Sequence, residues 1–181
     1  MKRIYNFVHI GKCGGSTIWN VLNSRKIKLA SQMTYIHLGK VRHQPHVSNI
    51  ITLRNPIRRF ISAFYWRYYL VVEEKAQQHK YKNEYEKLSE LKTVEAFAQN
   101  IKQNGDSIYR SDSNSGNFIH QCKQDIYWYL EDIYHRDNPK KVEKIIALEN
   151  LDEDMENHFG ITNIGLHIHN ASGRKYDKSL T

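Results

Sequence analysis

Lys12, Gly14, Gly15, Ser16 and Thr17 crowd a cation, two flexible backbone positions and two hydroxyls into one short stretch. Those residue types suit the binding of a phosphate-like anion. Adjacent glycines let backbone amides approach an anion, a helix N-terminus adds free N–H groups and a positive dipole, and the lysine adds a full charge. The flanks supply the elements. The apolar run Ile4 to Ile10 reads as a buried strand and ends in the turn Gly11-Lys12-Cys13-Gly14-Gly15. Ser16 and Thr17 then open a segment with Ile18, Val21 and Leu22 at helical spacing. In a Walker A loop the lysine follows the second glycine. Here Lys12 precedes the glycine pair, so the loop suits a phosphate-like group without being the usual ATP or GTP loop. Alone, the same residues also fit a plain strand-to-helix turn with a surface lysine.

A second cationic position follows another apolar run. Val47 to Leu53 reads as a buried strand, Arg54-Asn55-Pro56 comes next, and Ile57 to Tyr65 continues as a helix. Asn55 is a good N-cap and Pro56 fits the first helical position. Arg54 thus stands at the end of a strand, where open α/β sheets bind ligands. Ser62 is two helical turns further on, and shares a pocket with Arg54 only if the ligand lies along the helix. Each also has a plain reading, Arg54 as a surface cap and Ser62 as a small packing residue.

Together the two stretches resemble the nucleotide-binding elements of sulfotransferases that use 3′-phosphoadenosine-5′-phosphosulfate. The resemblance is to the carbohydrate branch, typified by heparan and dermatan 2-O-sulfotransferases and their bacterial relatives. In that branch the first element runs His-Ile-Pro-Lys-Thr-Gly-Gly-Thr, and this chain has His9-Ile10-Gly11-Lys12-Cys13-Gly14-Gly15-Ser16. The second runs Arg-Asp-Pro-x-x-Arg-hydrophobic-x-Ser-x-hydrophobic-Tyr, and this chain has Arg54-Asn55-Pro56-Ile57-Arg58-Arg59-Phe60-Ile61-Ser62-Ala63-Phe64-Tyr65. Gly11 for Pro, Cys13 for Thr and Asn55 for Asp are departures. The resemblance implies that Gly11 to Thr17 bind the 5′-phosphosulfate and that Arg54 and Ser62 hold the 3′-phosphate. Ile145 to Leu151 looks like the family's late strand. His169-Asn-Ala-Ser-Gly-Arg-Lys175 looks like its basic C-terminal loop, which implies that Arg174 and Lys175 close over the nucleotide. A P-loop-like sulfotransferase fold, 3′,5′-ADP as product, no metal, and a hydroxyl acceptor on a glycan or glycolipid are further implications. Animal relatives are mostly Golgi membrane proteins, so this chain looks like a soluble bacterial or viral version.

Transfer to a hydroxyl leaves a proton to be taken up, and histidine is the natural base. The chain holds 10 histidines. The resemblance implies a catalytic histidine between the two nucleotide elements, and His37 in Tyr35-Ile-His-Leu-Gly39 fits best, with His43 and His46 as alternatives. His9 is expected inside the first strand. His120 suits either the acceptor side or the surface. His167 and His169 could be read as a metal pair, but nothing else supports a site. Lys12 and the amides of Gly14 to Thr17 would stabilise charge growing on the oxygen between phosphorus and sulfur. Lys12 and His37 are therefore the catalytic candidates. Cys13 has the setting of a lowered thiol pKa, but the resemblance puts a threonine there, and it reads as a loop residue rather than a nucleophile.

Periodicity sketches the elements that must position these groups. Strands are expected at 4–10, 33–38, 47–53 and 144–149, and helices at 16–24, 56–70, 82–90, 94–103, 124–135 and 151–159. Gly105 reads as the stop of the fourth helix. Asn150 is expected to cap the last helix, with Asp152 and Glu153 in its first turn and Gly160 at its end. Asp106 to Asn117 reads as a loop that could lie over the active site. The alternation argues for α/β architecture, a single domain over 1–181 with a central parallel sheet flanked by helices. The aromatic groups Phe64 to Tyr69 and Tyr127 to Tyr129 read as core with polar edges more readily than as platforms for sugar or adenine.

Composition bounds the function without choosing it. A chain of 181 residues with 40% hydrophobic residues has room for one real core. No apolar run is long enough for a membrane span, and a strand so near the first residue leaves no space for a signal peptide. Two cysteines, Cys13 and Cys122, make no disulfide framework, so a reducing cytoplasm is expected. The net charge of +8 and pI near 9.4 favour an anionic partner, such as a phosphorylated cofactor, acidic glycan or nucleic acid. Lys26, Lys28, Lys40 and Arg42 read as solvated surface. Two other classes stay open. An ATP-dependent phosphotransferase would need a magnesium carboxylate, for which Glu149 is the apt residue. A basic nucleic-acid-binding protein would need basic and aromatic residues on one face.

Overall fold

The computed structural model describes residues 4–104, 119–122, 124–134, 142–162 and 164. In chain order these form β1 (Ile4–His9), α1 (Gly15–Ser24), β2 (Met33–His37), β3 (Val47–Leu53), α2 (Pro56–Tyr68), α3 (Glu84–Leu91), α4 (Val94–Asn104), α5 (Ile126–Tyr134), β4 (Val142–Ala147) and α6 (Leu151–Phe159). They fall into two compact units, one from Met1–Asn55 with Ile126–Thr181 and one from Pro56–Asp125. The architecture is α/β with a parallel sheet flanked by helices, as the alternation of elements implies.

The first unit holds the sheet, in the order β2-β1-β3-β4 with every neighbouring pair parallel. Alternation along β1 sends Tyr5 and Phe7 to one face and Val8 to the other. On the first face Phe7, Ile50 and Ile146 pack with Ile18 and Leu22 of α1 and Leu151 and Met155 of α6. On the second, Val8, Ile10 and Ile51 pack with Tyr129, Leu130 and Ile133 of α5. Asn6 and Asn49 sit opposite each other in the register and share a buried side-chain hydrogen bond of 3.1 Å.

Crossover direction explains why both faces are covered. The chain moves from β1 to β2 through α1, then returns past β1 to β3 through residues 38–46. That return uses the second face, where Val41 is buried and its amide donates to the Tyr129 carbonyl at 3.0 Å. Opposite directions of travel with one handedness require opposite faces. The reversal makes the C-terminal ends of β1 and β3 the switch point of the sheet, where ligands of open α/β sheets bind.

Three expectations shift at element ends. The late strand starts at Val142 and stops at Ala147, because Leu148–Asn150 is a 3₁₀ turn. Asn150 occupies the N-cap position of α6 but its side chain makes no cap hydrogen bond. Instead Asp154 reaches back to accept the Ala147 amide at 2.7 Å, and three first-turn acids complement the helix dipole. Gly160 ends α6 as expected, with φ of 66°. Helix α2 also ends early, passing into a π turn at Tyr69–Glu73.

The second unit has its own core. Phe64 lies against Tyr68 and Phe97, and Phe60 stacks on Phe97 at 5.5 Å, in a cluster with Leu88, Leu91 and Ile119. This supports the core reading of the Phe64 aromatic group. Cys122 is fully enclosed there, and burial pushes its thiol pKa well up. Arg67 lies on the buried stripe of α2, only 2% exposed, against Glu84 at 1%. Its Nε and Nη2 donate to the two Glu84 oxygens at 3.0 and 2.6 Å, and the His120 amide donates to Oε1 at 2.7 Å. Breaking a buried pair from one side strands the other charge. Glu84→Gln should therefore lower the unfolding free energy by about 3–5 kcal/mol, read as a fall in the urea midpoint. Replacing both partners with apolar residues should recover much of it, and an unchanged midpoint in Glu84→Gln would contradict a desolvated pair.

Candidate functional site

β1 ends at His9, and the chain turns before α1 begins at Gly15, one residue earlier than the sequence suggests. The turn needs left-handed backbone twice, at Lys12 with φ of 66° and Gly14 with φ of 75°. For Lys12 that costs about 1–2 kcal/mol, strain of the kind found at binding sites. Packing holds the turn in place. The Gly11 amide donates to the Tyr129 hydroxyl at 3.3 Å, and the Cys13 amide to the Ile10 carbonyl at 3.2 Å. Cys13 is 1% exposed within the cluster of Ile10 and Tyr129, so its side chain is a packing group.

The start of α1 is electropositive by construction. Among the described residues no side chain caps it, and its first turn has no acid. The first bond inside the helix runs from the Ile18 amide to the Gly14 carbonyl. The amides of Gly15, Ser16 and Thr17 precede it and lie outside the intrahelical ladder. Arg54, just after β3, sends Nη1 to the Lys12 carbonyl at 3.4 Å. Burial and then the Arg54 charge hold the Lys12 ammonium down at a pKa of about 8. Two half-buried cations and a row of helix-end amides thus meet at the switch point, and this donor set fits an anionic phosphate.

A second cluster adjoins the first through Ser16. His9 and His37 are register partners on β1 and β2, and Tyr35 shares their face two residues before His37. His9 Nδ1 lies 2.7 Å from the Tyr35 hydroxyl and 3.0 Å from His37 Nδ1, and that hydroxyl is 3.1 Å from His37 Nδ1. The Ser16 side chain hydrogen-bonds Tyr35, and Trp19 stacks on the Tyr35 ring at 4.7 Å. Burial raises the Tyr35 pKa. Burial, His37 and Lys12, in that order, lower that of His9 to about 4.

The other expected positions sort as follows. Arg54 belongs to the first unit and Ser62 to the second, half-buried on α2. Arg59 is a structural residue of the second unit, donating to the Gln121 and Gln124 carbonyls. His46 is exposed and immediately precedes β3, at the N-terminal end of the strands, whereas the turn is at their C-terminal end. His120 stacks on Tyr81 at 4.3 Å in the second unit, and burial and nearby Arg67 and Lys80 lower its pKa to about 4. Lys26, Lys28, Lys40 and Arg42 are exposed, and Lys40 pairs with Glu131 at 2.9 Å. Glu149 lies in the 3₁₀ turn, where Oε1 accepts the Asn55 amide at 3.0 Å. Arg174, Lys175, His167, His169, Gly105 and the loop 106–117 lie outside the described residues. Among the described residues no group of three or more His, Cys, Asp or Glu could hold a metal ion, and no helix is long and apolar enough to cross a membrane.

No protein-family model, curated protein or solved structure matches the chain. The site must be read from its own residues.

The depressed His9 pKa has a sign that can be checked. Between pH 4 and 6.5 the unfolded chain binds a proton at His9 that the folded chain does not. Stability therefore falls as pH drops from 6.5 towards 4, by roughly 3 kcal/mol for this group. Urea unfolding across that range should show a shallower pH slope in His9→Asn than in the wild type. Equal slopes would mean that His9 is not held neutral by the fold.

Proposed function

We propose that the chain is a sulfotransferase that moves a sulfuryl group from 3′-phosphoadenosine-5′-phosphosulfate to a hydroxyl of a glycan or glycolipid. The observation that carries this reading is the meeting of Lys12 and Arg54 beside the uncapped start of α1. The motif resemblance of residues 9–16 and 54–65 selects this donor from other phosphate compounds. Both cysteines are free and buried, which suits a reducing cytoplasm.

The residues divide the work by charge. The amides of Gly14 to Thr17 and the Lys12 ammonium hold the 5′-phosphate and take up negative charge as its bridging oxygen leaves sulfur. Arg54 adds charge beside Lys12 and is the 3′-phosphate ligand that the resemblance implies. Ser62, Arg174 and Lys175 are the further nucleotide ligands that the resemblance implies. His37 accepts the acceptor's hydroxyl proton while the new sulfur–oxygen bond forms and the old one breaks, and 3′,5′-ADP departs with the electron pair.

Titration calorimetry with 3′,5′-ADP, 5′-AMP and ATP tests the reading. The 3′-phosphate should be worth about tenfold or more in affinity over 5′-AMP, the scale of one charge-assisted contact set. Equal binding of 3′,5′-ADP and 5′-AMP would defeat it, and a preference for ATP would favour a phosphotransferase.

Lys12 adds a pH signature. An anion bound against it raises its pKa above the free value of about 8, so binding above that pH must take up a proton. Affinity for 3′,5′-ADP should fall as pH rises beyond 8, by up to about tenfold per pH unit for one linked proton. Lys12→Met should remove that slope, and a slope that persists would place the linked group elsewhere.

A further inference from the structure

We propose that His9 is a positioning residue that holds His37 in the tautomer with hydrogen on Nδ1, leaving the Nε2 lone pair for the acceptor's proton. The inference rests on His37 as the base in the reading above, and on the triangle formed by His9 Nδ1, His37 Nδ1 and the Tyr35 hydroxyl.

Hydrogen counting leaves two orientations, and the distances select between them. Two imidazole nitrogens 3.0 Å apart avoid repulsion only when one carries hydrogen and the other a lone pair. Tyr35 decides which is which. Its hydroxyl is hydrogen-bonded by Ser16 and, with a raised pKa, keeps its own hydrogen to donate. The shortest side of the triangle, 2.7 Å, runs from that hydroxyl to His9 Nδ1. That length is ordinary for an O–H donor and short for an N–H donor, so the hydroxyl donates, His9 Nδ1 accepts, and the His9 hydrogen is on Nε2. The remaining hydrogen of the triangle then belongs to His37 Nδ1, which donates to the Tyr35 oxygen at 3.1 Å. The chain of donors reads His37 to Tyr35 to His9, and the single lone pair of His9 Nδ1 takes one hydrogen.

The consequence reaches His37 Nε2. The hydrogen bond made by one imidazole nitrogen selects the tautomer and so the role of the other. When Nε2 takes a proton, the ring becomes a cation whose Nδ1–H still donates to the Tyr35 oxygen, while the Tyr35 hydroxyl donates to His9. His9 remains neutral throughout, in keeping with its depressed pKa of about 4. Through the Tyr35 hydroxyl it thus does with a neutral lone pair what a carboxylate does directly behind the histidine of a hydrolase triad. The close packing of His9 on Gly15 fixes the ring. A Cβ at position 15 would lie 2.3 Å from His9 Cδ2.

Long-range proton–nitrogen NMR of the ¹⁵N-histidine-labelled, EDTA-treated full chain reads the tautomer directly. At a pH of about 8.5, above the ordinary histidine range, His37 should show a protonated Nδ1 and an unprotonated Nε2. His9→Leu should invert the pattern. His9→Asn, whose Oδ1 can replace Nδ1 as acceptor, should preserve it. The signals are assigned by their loss in His37→Gln. A wild-type His37 with hydrogen on Nε2 overturns the proposal, as does a protonated Nδ1 that survives His9→Leu. If His9→Leu does not fold, the wild-type signal still decides. No substrate is needed, so the expected tautomer in a chain that fails to prefer 3′,5′-ADP would keep the positioning role and defeat the sulfotransferase reading alone. With an accepted substrate, His9→Leu should lower kcat by about tenfold or more at unchanged KM for the donor, and His9→Asn should restore much of it.

Discussion

The first unit is organised around the contact between Gly15 and the ring of His9. A single methyl group at position 15 would lie inside the van der Waals radius of that ring. Because there is none, α1 can start directly against the last residue of β1. That placement sends the helix-end amides toward the turn and packs Ile18 and Leu22 onto the face of Phe7. It also leaves Trp19 in register with Tyr35, where the two rings stack nearly parallel at 14°. The turn that carries Lys12 and the histidine cluster are two sides of one close approach.

Charge is handled differently in the two units. In the second, Arg67 and Glu84 are taken out of water together, and each guanidinium nitrogen and carboxylate oxygen has a partner within the unit. Gln77 takes the remaining guanidinium nitrogen at 2.6 Å. In the first, Lys12 and Arg54 are brought together with the same sign, and the turn between them carries a left-handed non-glycine residue. A fold gains nothing by itself from such an arrangement, since both terms oppose stability. The cores on either side of the sheet hold it in place. That contrast separates charges paired within the fold from charges of one sign held together at a strained turn.

Much of this was readable from local patterns, because apolar runs and helical stripes report burial directly. Residues 47–53 and 151–159 fall where periodicity puts them. What escaped has a common cause in pairings between distant segments. His9 reads as an interior strand residue, and only the parallel register with β2 reveals that it faces His37. The spacing of Tyr35 and His37, two apart on a strand, was the available hint that both share a face. Arg67 sits on the same stripe as Phe60, Phe64 and Val71, and a charge on such a stripe signals a buried partner. Which acid answers it, Glu84 across a turn, depends on packing. Asn150 has the right type for a cap, yet the 3₁₀ turn before it leaves the side chain without that role.

The placement of the second unit in the chain bears on how the molecule is made. β3 pairs with β1 on one side and β4 on the other, and all of Pro56–Asp125 must be synthesised before β4 exists. At about 5–20 residues per second, β3 waits several seconds with one edge open. Open strand edges recruit other chains. During that interval the second unit can gather its own core and ion pair, whereas the sheet remains incomplete. The hazard for a nascent chain is thus the bare flank of β3, and a ribosome pausing within the inserted unit would prolong it.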